Sequence, residues 1–226
     1  MKNIAALILC GGKGTRLGTL GEKTPKSLLK LKKYKIIDII IKHLKKYEIN
    51  QIYISGNYKF NLIKKHINNN YYKEEIFLRN DGDIEIIKRI EIALNQHKDK
   101  KLLVCYGDAI ANVNIKKLYK SHLKENKKLT ITTYSIYSNF GFLMKKSKNK
   151  YIFKEKPKIG NINIGFMILD YNNIDIIKKK KKFENYLKYM AEINQMNEYN
   201  HKGNHITVNT LEELNLANKK IKEFKI

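Results

Sequence analysis

The sequence predicts an α/β fold: a mixed, mainly parallel sheet flanked by helices, with antiparallel strands added in the second half. Three observations predict it. Short apolar runs alternate with longer segments of helical period through the first half. Small polar clusters sit where the apolar runs end. Beyond about residue 130 the strand-like runs crowd together with no helix between them.

The elements follow in order. Ile4–Leu9, Gln51–Ser55, Ile76–Leu78 and Leu102–Tyr106 are short β-rich runs that read as buried strands. Between them, Ile37, Ile40, Ile41 and Leu44 repeat at the helical period, as do Ile63 and Ile67, and Ile84, Ile87, Ile90 and Leu94. Such alternation argues for parallel strands with helices on both faces. Ligands of such sheets bind beyond the carboxyl ends of the strands, where the glycine segment 11–14, Gly56-Asn57 and Gly107-Asp108 fall. Thr130–Tyr137, Phe140–Met144, Tyr151–Phe153 and Ile164–Leu169 supply the antiparallel additions. Helices from about Phe183 to Met196 and Leu211 to Phe224 close the chain. No Pro/Gly/Ser-rich linker or internal repeat divides it, so residues 1–226 read as one domain.

Composition narrows the classes. No run of about 18 apolar residues suggests a membrane span, and the N-terminus lacks the pattern of an export signal, so a cytoplasmic location is expected. Cys10 and Cys105 lie in apolar runs and read as small core residues, and no Cys/His spacing suggests zinc. The formal charge of +25 raises nucleic acid as a partner. Yet of 46 basic residues only Arg16, Arg79 and Arg89 are arginine, and base- and phosphate-reading surfaces lean on arginine's planar fork. The lysines are also spread along the whole chain. A nucleic-acid partner is therefore not expected, and the run Lys178 to Lys182 reads as a helix end opening into a solvated loop.

The most informative segment is Leu9-Cys10-Gly11-Gly12-Lys13-Gly14-Thr15-Arg16-Leu17, followed by Pro25-Lys26. Glycines at a strand end allow a tight turn and bring backbone N–H groups close to a ligand. Arg16 and Lys26 add positive charge beside those donors, which suits a polyphosphate. The segment is not a P-loop, and a dinucleotide fingerprint would need glycine where Leu17 stands.

Tyr106-Gly107-Asp108 ends another apolar run. A carboxylate there suits Mg²⁺, which takes oxygen ligands from one or two carboxylates and from substrate phosphates. Asp108 is also placed to cap a helix beginning near Asn114. Glu155-Lys156-Pro157 offers a carboxylate for sugar hydroxyls and an ammonium for a monophosphate, and is also compatible with an exposed turn. In Asn163-Ile164-Gly165-Phe166, Asn163 offers an amide for hydroxyls and Gly165 allows close approach. The chain has two prolines, Pro25 and Pro157, and each holds a neighbouring lysine on a fixed, non-helical backbone.

Together these segments resemble the sugar nucleotidyltransferases, in the pattern G-G-x-G-T-R-L…P-K…G-D…F-G…E-K-P…N-x-G…T-L over about residues 3 to 217. The stretch from Tyr106 to Ile115, and Asn139-Phe140-Gly141-Phe142-Leu143, look most like glucose-1-phosphate cytidylyltransferases. The resemblance implies a Rossmann-like nucleotidyltransferase fold, with a nucleotide-binding half over about 1–112 and an acceptor-binding half over about 113–226. It implies a Mg²⁺-dependent transfer of CMP from CTP to a sugar 1-phosphate, with release of pyrophosphate, for synthesis of a surface polysaccharide such as capsule or lipopolysaccharide. Residue by residue, it implies that Leu9, Gly11, Gly12, Gly14, Thr15 and Gly107 surround the nucleotide. Arg16 and Lys26 would hold its phosphates, and Asp108 would bind the metal. Glu155 and Lys156 would contact the sugar and its phosphate, with Asn163 and Gly165 nearby. Arg16, Lys26, Asp108 and Lys156 are the catalytic candidates, and homo-oligomeric assembly is open.

Two departures from the family pattern stand out. A second metal-binding aspartate is expected just before the T-x-x-D/E-L segment, and Asn209 stands there. The base-reading turn normally carries a glycine pair, and here it reads Asn80-Asp81-Gly82-Asp83-Ile84-Glu85 before Lys88-Arg89. Another NTP, a heptose, alditol or amino-alcohol phosphate as acceptor, and a catalytically lapsed nucleotide-binding regulator therefore remain alternatives.

Overall fold

In a computed structural model of the chain, residues 3–71, 76–98 and 101–224 are described. Along the chain run β1 (Ile4–Cys10), α1 (Thr19–Lys23), β2 (Lys30–Leu31), β3 (Tyr34–Lys35), α2 (Ile36–Lys46), β4 (Ile52–Gly56), α3 (Phe60–Asn70), β5 (Ile76–Asn80), α4 (Ile86–Gln96) and β6 (Lys101–Tyr106). The second half adds β7 (Ala109–Ala111), α5 (Ile115–Glu125), β8 (Leu129–Tyr137), β9 (Phe142–Ser147), β10 (Lys150–Lys154), β11 (Lys158–Leu169), α6 (Ile174–Lys178), α7 (Phe183–Glu192), β12 (Met196–His201), β13 (His205–Thr207) and α8 (Leu211–Lys220).

Seven strands form the central sheet in the order β12-β8-β11-β6-β1-β4-β5. β1 pairs in parallel with β4 and β6, and β4 with β5. β11 runs against both β6 and β8, while β12 lies parallel to β8. One reversed strand thus interrupts an otherwise parallel sheet. The chain leaves β1 toward β4 and β5, then returns to place β6 on β1's other side. That reversal opens a crevice at the carboxyl ends of β1 and β6, where α/β sheets take ligands.

Successive side chains of a strand point to opposite faces, and the core divides accordingly. Ala6, Ile8, Leu103, Cys105, Phe166 and Ile168 face α2, α3, α5 and α8. Ala5, Leu7, Leu102, Val104, Met167 and Leu169 face α4, α6 and α7. Both cysteines are free and buried. Burial pushes the Cys10 thiol up to about 12 and raises that of Cys105 further.

The first-half strands and helices match the expected pattern closely, with one local difference. Ile84 lies outside α4, because Gly82 takes a left-handed φ of 66° and Glu85 is extended at the N-cap. In the second half, β8 and β11 join the sheet, whereas β9 and β10 form a separate hairpin. The expected helix from Phe183 stops at Glu192, and Met196 opens β12. The Lys178–Lys182 run does end α6 and open a loop.

Candidate active site

The glycine segment leaves β1 and turns through Gly14, whose φ of 69° is left-handed. The Gly14 carbonyl accepts the Leu17 N–H at 2.9 Å, starting a short 3₁₀ turn, Thr15–Leu17. Leu17 is buried and anchors the turn, so Thr15 and Arg16 are left exposed. Pro25 stands before a second 3₁₀ turn, Lys26–Leu28, and the buried Ser27 and Leu28 seat it against the core. This aims Lys26 back toward the strand ends.

A cavity of about 400 Å³ opens at the crevice. Leu9, Gly11, Gly12, Lys26, Tyr106, Gly107 and Asp108 line one side, and Asp83, Ile84 and Arg89 another. Gly107 donates its N–H to the Leu9 carbonyl at 2.9 Å, which locks the β6 end to the β1 end.

β7 and β13 pair as an antiparallel ribbon, matching Ala109 with Thr207 and Ile110 with Ile206. The ribbon carries Asp108 and Asn209 to the same place. Lys26 Nζ donates to Asp108 Oδ2 at 3.1 Å and to Asn209 Oδ1 at 2.7 Å. Asn209 is held by α8: Glu213 Oε2 accepts its N–H at 2.7 Å, while Thr210 caps the helix by accepting the Glu213 N–H at 3.1 Å. Asp108 does not cap α5, since Asn114 accepts the Lys117 N–H there.

Asp108 and Asn209 are both hard oxygen donors, the type Mg²⁺ accepts. Among the described residues no group of three or more His, Cys, Asp or Glu is placed to hold a metal. A cation between these two side chains would therefore draw its other ligands from water and from a bound phosphate.

β11 lies beside β6 and backs Tyr106, but Asn163 and Gly165 do not line the cavity. The β11 register against β8 jumps between Asn163 and Met167, a bulge within the sheet. Asn163 Oδ1 accepts the Gly165 N–H at 2.9 Å. Gly165 has a φ of 77°, and a Cβ there would lie 2.5 Å from the Tyr106 ring. Burial pushes the Tyr106 phenol up to about 12, with Asp108 adding to the rise and a hydrogen bond with Asn163 opposing it.

Glu155 and Lys156 are placed differently. They follow β10 and are exposed, and Lys156 has a φ of 42°. Among the described residues neither makes a hydrogen bond or ion pair, so nothing ties them to Lys26 or Asp108.

Sequence reasoning gave Arg89 no role beyond a resemblance, yet it organises the second wall of the cavity. It is buried, and donates to Ser55 Oγ at 3.0 Å, the Gly56 carbonyl at 3.0 Å, the Gly82 carbonyl at 2.7 Å and the Ile84 carbonyl at 3.3 Å. Its guanidinium lies under Gly11, where a Cβ would stand 3.1 Å from the ζ carbon. Asp81, buried beside it, accepts from Ser55 and Arg79. The available signal was Arg89's place among Ile87, Ile90 and Ala93 on α4's inner face, in a chain that otherwise uses lysine.

A parallel sheet with a glycine turn, a lysine and a carboxylate gathered at its switch point defines an α/β protein built to take a phosphorylated ligand. The chain belongs to the nucleotidyl transferase family, whose model matches residues 5–214. It is similar to the Bacillus subtilis "Probable glucose-1-phosphate cytidylyltransferase", 28% identical over 95% of this chain and 94% of that protein. A glucose-1-phosphate adenylyltransferase of Fervidobacterium nodosum is 27% identical over 77% of this chain and 48% of its own length. Among solved structures, HddC from Yersinia pseudotuberculosis superposes with a TM-score of 0.76 at 21% identity, over 96% of this chain and 99% of that one. At that identity the likeness speaks for the fold. No helix among the described residues is long and apolar enough to cross a membrane.

Proposed function

We propose that the protein transfers CMP from CTP to a sugar 1-phosphate and releases pyrophosphate, with Mg²⁺ as cofactor. The observation that carries this reading is the meeting of Gly11, Gly12, Lys26 and Asp108 around one cavity at the crevice, with Asn209 bonded to Lys26 beside it. CTP is favoured because the Tyr106–Ile115 stretch and Lys88-Arg89 resemble cytidylyltransferases. The B. subtilis relative carries a cytidylyltransferase name, while the F. nodosum relative carries an adenylyltransferase name.

The chemistry needs no covalent intermediate. An oxygen of the acceptor phosphate attacks the α-phosphorus of CTP in line. A new P–O bond forms to the acceptor, the bond to the bridging oxygen of the β-phosphate breaks, and pyrophosphate leaves with that electron pair. The attacking oxygen is already anionic, so no general base is required. The protein's task is to hold two anions together and to stabilise the leaving group. Backbone N–H groups of residues 11–14 and the Arg16 and Lys26 cations serve the NTP phosphates. Lys156, free and on an exposed turn, serves the acceptor phosphate, with Glu155 and Asn163 toward the sugar hydroxyls. Bound at Asp108 and Asn209, Mg²⁺ would neutralise phosphate charge in the transition state.

Incubation with each NTP, a panel of sugar 1-phosphates and Mg²⁺ should release pyrophosphate, most rapidly with CTP. Release with another base would replace only the nucleotide, and a response confined to another phosphomonoester would replace only the acceptor. Silence across the whole panel would overturn the reading.

A further inference from the structure

We propose that the cavity between α1, α3 and the β2–β3 ribbon binds a small amphiphilic anion, an apolar body ending in a phosphate or carboxylate group. This site is separate from the crevice and independent of the nucleotide chemistry.

The cavity measures about 720 Å³ and shares no lining residue with the crevice. The Lys26–Leu28 turn stands between the two. Lys26 and Ser27 line the crevice, while Leu28 lines this cavity with Leu29. Both leucines are buried, and the half-buried Leu20, Leu62 and Leu214 border the same space. On α3, lining positions 62, 65, 66 and 69 recur at the helical period, so one face of that helix borders the cavity. Leu62 continues the apolar wall there, and Lys65, His66 and Asn69 make a polar one.

The charge of the lining has one sign. Lys30, Lys35 and Lys65 face the cavity, and among the described residues no carboxylate lines it. The β2–β3 register pairs Lys30 directly with Lys35. Directly paired residues carry their side chains on one face, with Cβ atoms about 5 Å apart, and like charges so placed repel. Among the described residues the side chains of Lys30 and Lys65 make no hydrogen bond or ion pair. The ribbon therefore holds two cations together with no protein anion between them. An anion bound there would turn repulsion into attraction.

Lys35 is also held in place. Asp38 Oδ1 lies 2.7 Å from His66 Nε2 and accepts the Tyr71 hydroxyl at 2.8 Å. With the Nε2 proton donated to Asp38, His66 Nδ1 is an acceptor, and Lys35 Nζ lies 2.9 Å from it. Among the described residues the Lys35 side chain makes no other hydrogen bond, so its remaining ammonium N–H groups are left to serve a ligand. Asp38 spends its charge on His66 and Tyr71 and does not line the cavity. The anionic group of the ligand sits at the Lys30/Lys35 pair, with Lys65 reaching in from α3. Its apolar body lies along Leu28, Leu29 and Leu62. Inorganic phosphate would satisfy the lysines and leave the leucines wet, so the chemistry of the lining asks for both parts.

The test is isothermal titration calorimetry on the full chain with octyl phosphate, octanoate and inorganic phosphate. At least one octyl compound should bind saturably at a single site, and the tighter of the two names the head group. It should bind at least about a hundredfold more tightly than inorganic phosphate, the factor expected from burying about four methylenes. Lys35→Gln/Lys65→Gln should weaken that binding by at least about tenfold. Lys30→Glu, which reverses one charge of the cross-strand pair, should do the same. Lys30 is exposed and its side chain unbonded, so this variant should unfold no lower than wild type and guards against loss through misfolding. Lys178→Gln/Lys179→Gln, at the end of α6 on the opposite face of the sheet, controls for general positive charge and should bind as wild type does. The proposal is overturned if neither octyl compound binds saturably, or if inorganic phosphate binds equally well. It is also overturned by an affinity that survives the Lys35/Lys65 and Lys30 changes, or by an equal loss in the α6 control.

Discussion

Gly21→Ala sets two physical effects against each other. Gly21 lies buried within α1, where alanine is a better helix former by about 1 kcal/mol. Local propensity therefore predicts a more stable protein. Packing predicts the reverse. A Cβ on Gly21 would lie 2.1 Å from the Gly14 carbonyl oxygen and 2.9 Å from its carbon. Ordinary van der Waals contact starts at 3.4 Å, so the two backbones must part by more than 1 Å. Gly14 cannot yield freely, since its left-handed φ of 69° and its bond to the Leu17 N–H define the turn. Overpacking of this kind costs about 1–3 kcal/mol, which outweighs or cancels the helix gain. At this chain length each kcal/mol lost lowers Tm by about 2–4 °C. A displacement of 1 Å in a binding turn costs about a hundredfold in reactivity. Thermal unfolding with and without CTP, followed by kcat/KM for the nucleotide, reads both effects. Gly12→Ala is the control: unlike Gly21 it lines the cavity, and its Cβ would meet nothing within 4 Å. It should leave the Tm of the free protein unchanged and weaken nucleotide binding alone. A Gly21→Ala protein that melts higher than wild type and takes nucleotide normally would refute the packing argument.

Lys26→Ala should raise KM for NTP while Lys156→Ala raises KM for the acceptor phosphate, and steady-state kinetics with each substrate varied would show equal effects if that division is wrong. Asp108→Asn should lower kcat at least a hundredfold at millimolar Mg²⁺, as expected for loss of the one carboxylate at the metal position; a mild effect would move the metal elsewhere. Asn209→Asp, a change of nearly equal size, should lower the Mg²⁺ concentration for half-maximal effect by about tenfold, read by Tm as well as by turnover. Burial lowers the His43 pKa from 6.5 to about 4, against an opposing hydrogen bond with the Val113 carbonyl. The unfolded chain then binds the extra proton first, so stability falls as pH drops from about 6.5 toward 4, by about 3 kcal/mol. Urea unfolding across that range should show the slope, and His43→Gln should remove its share, leaving the part due to His205, which burial lowers to about 4 as well.

The parts of the fold that could be read from the sequence are those where burial is repetitive. β1 is apolar throughout, β4 and β6 are mostly so, and α2 is rich in buried isoleucine, so strand and helix periods stand out. β12 was hidden because Met196-Asn197-Glu198-Tyr199-Asn200-His201 is polar. It holds its place at the sheet edge through side-chain bonds such as Asn197 to Ser121 and Asn200 to Thr133, which no apolar pattern announces. The hairpin showed its strands but not their isolation, since an exposed apolar strand and a buried one share a composition. At the site, the glycine turn and Asp108 were legible because each ends an apolar run. Asn209 was visible only as a departure from a pattern. That it meets Lys26 depends on β7 pairing with β13, a contact between residues roughly a hundred positions apart.

That pairing gives the site its electrostatic character. Lys26 sits between a carboxylate and an amide, so the three side chains sum to no net charge. With an aspartate at 209 they would sum to one negative charge and favour a resident cation even without nucleotide. With Asn209, a divalent ion would gain most if a polyphosphate arrived with it and supplied the missing negative charge. Lys26, which donates to Asp108 Oδ2 at 3.1 Å, would be free to turn toward the phosphates if a cation were held at Asp108. Metal and nucleotide binding are linked in that arrangement, and each should strengthen the other by the same factor. On the proposed reading Asn209 would change the order in which the site is filled, and the glycine turn, Arg16 and Lys26 would still be there to hold the phosphates.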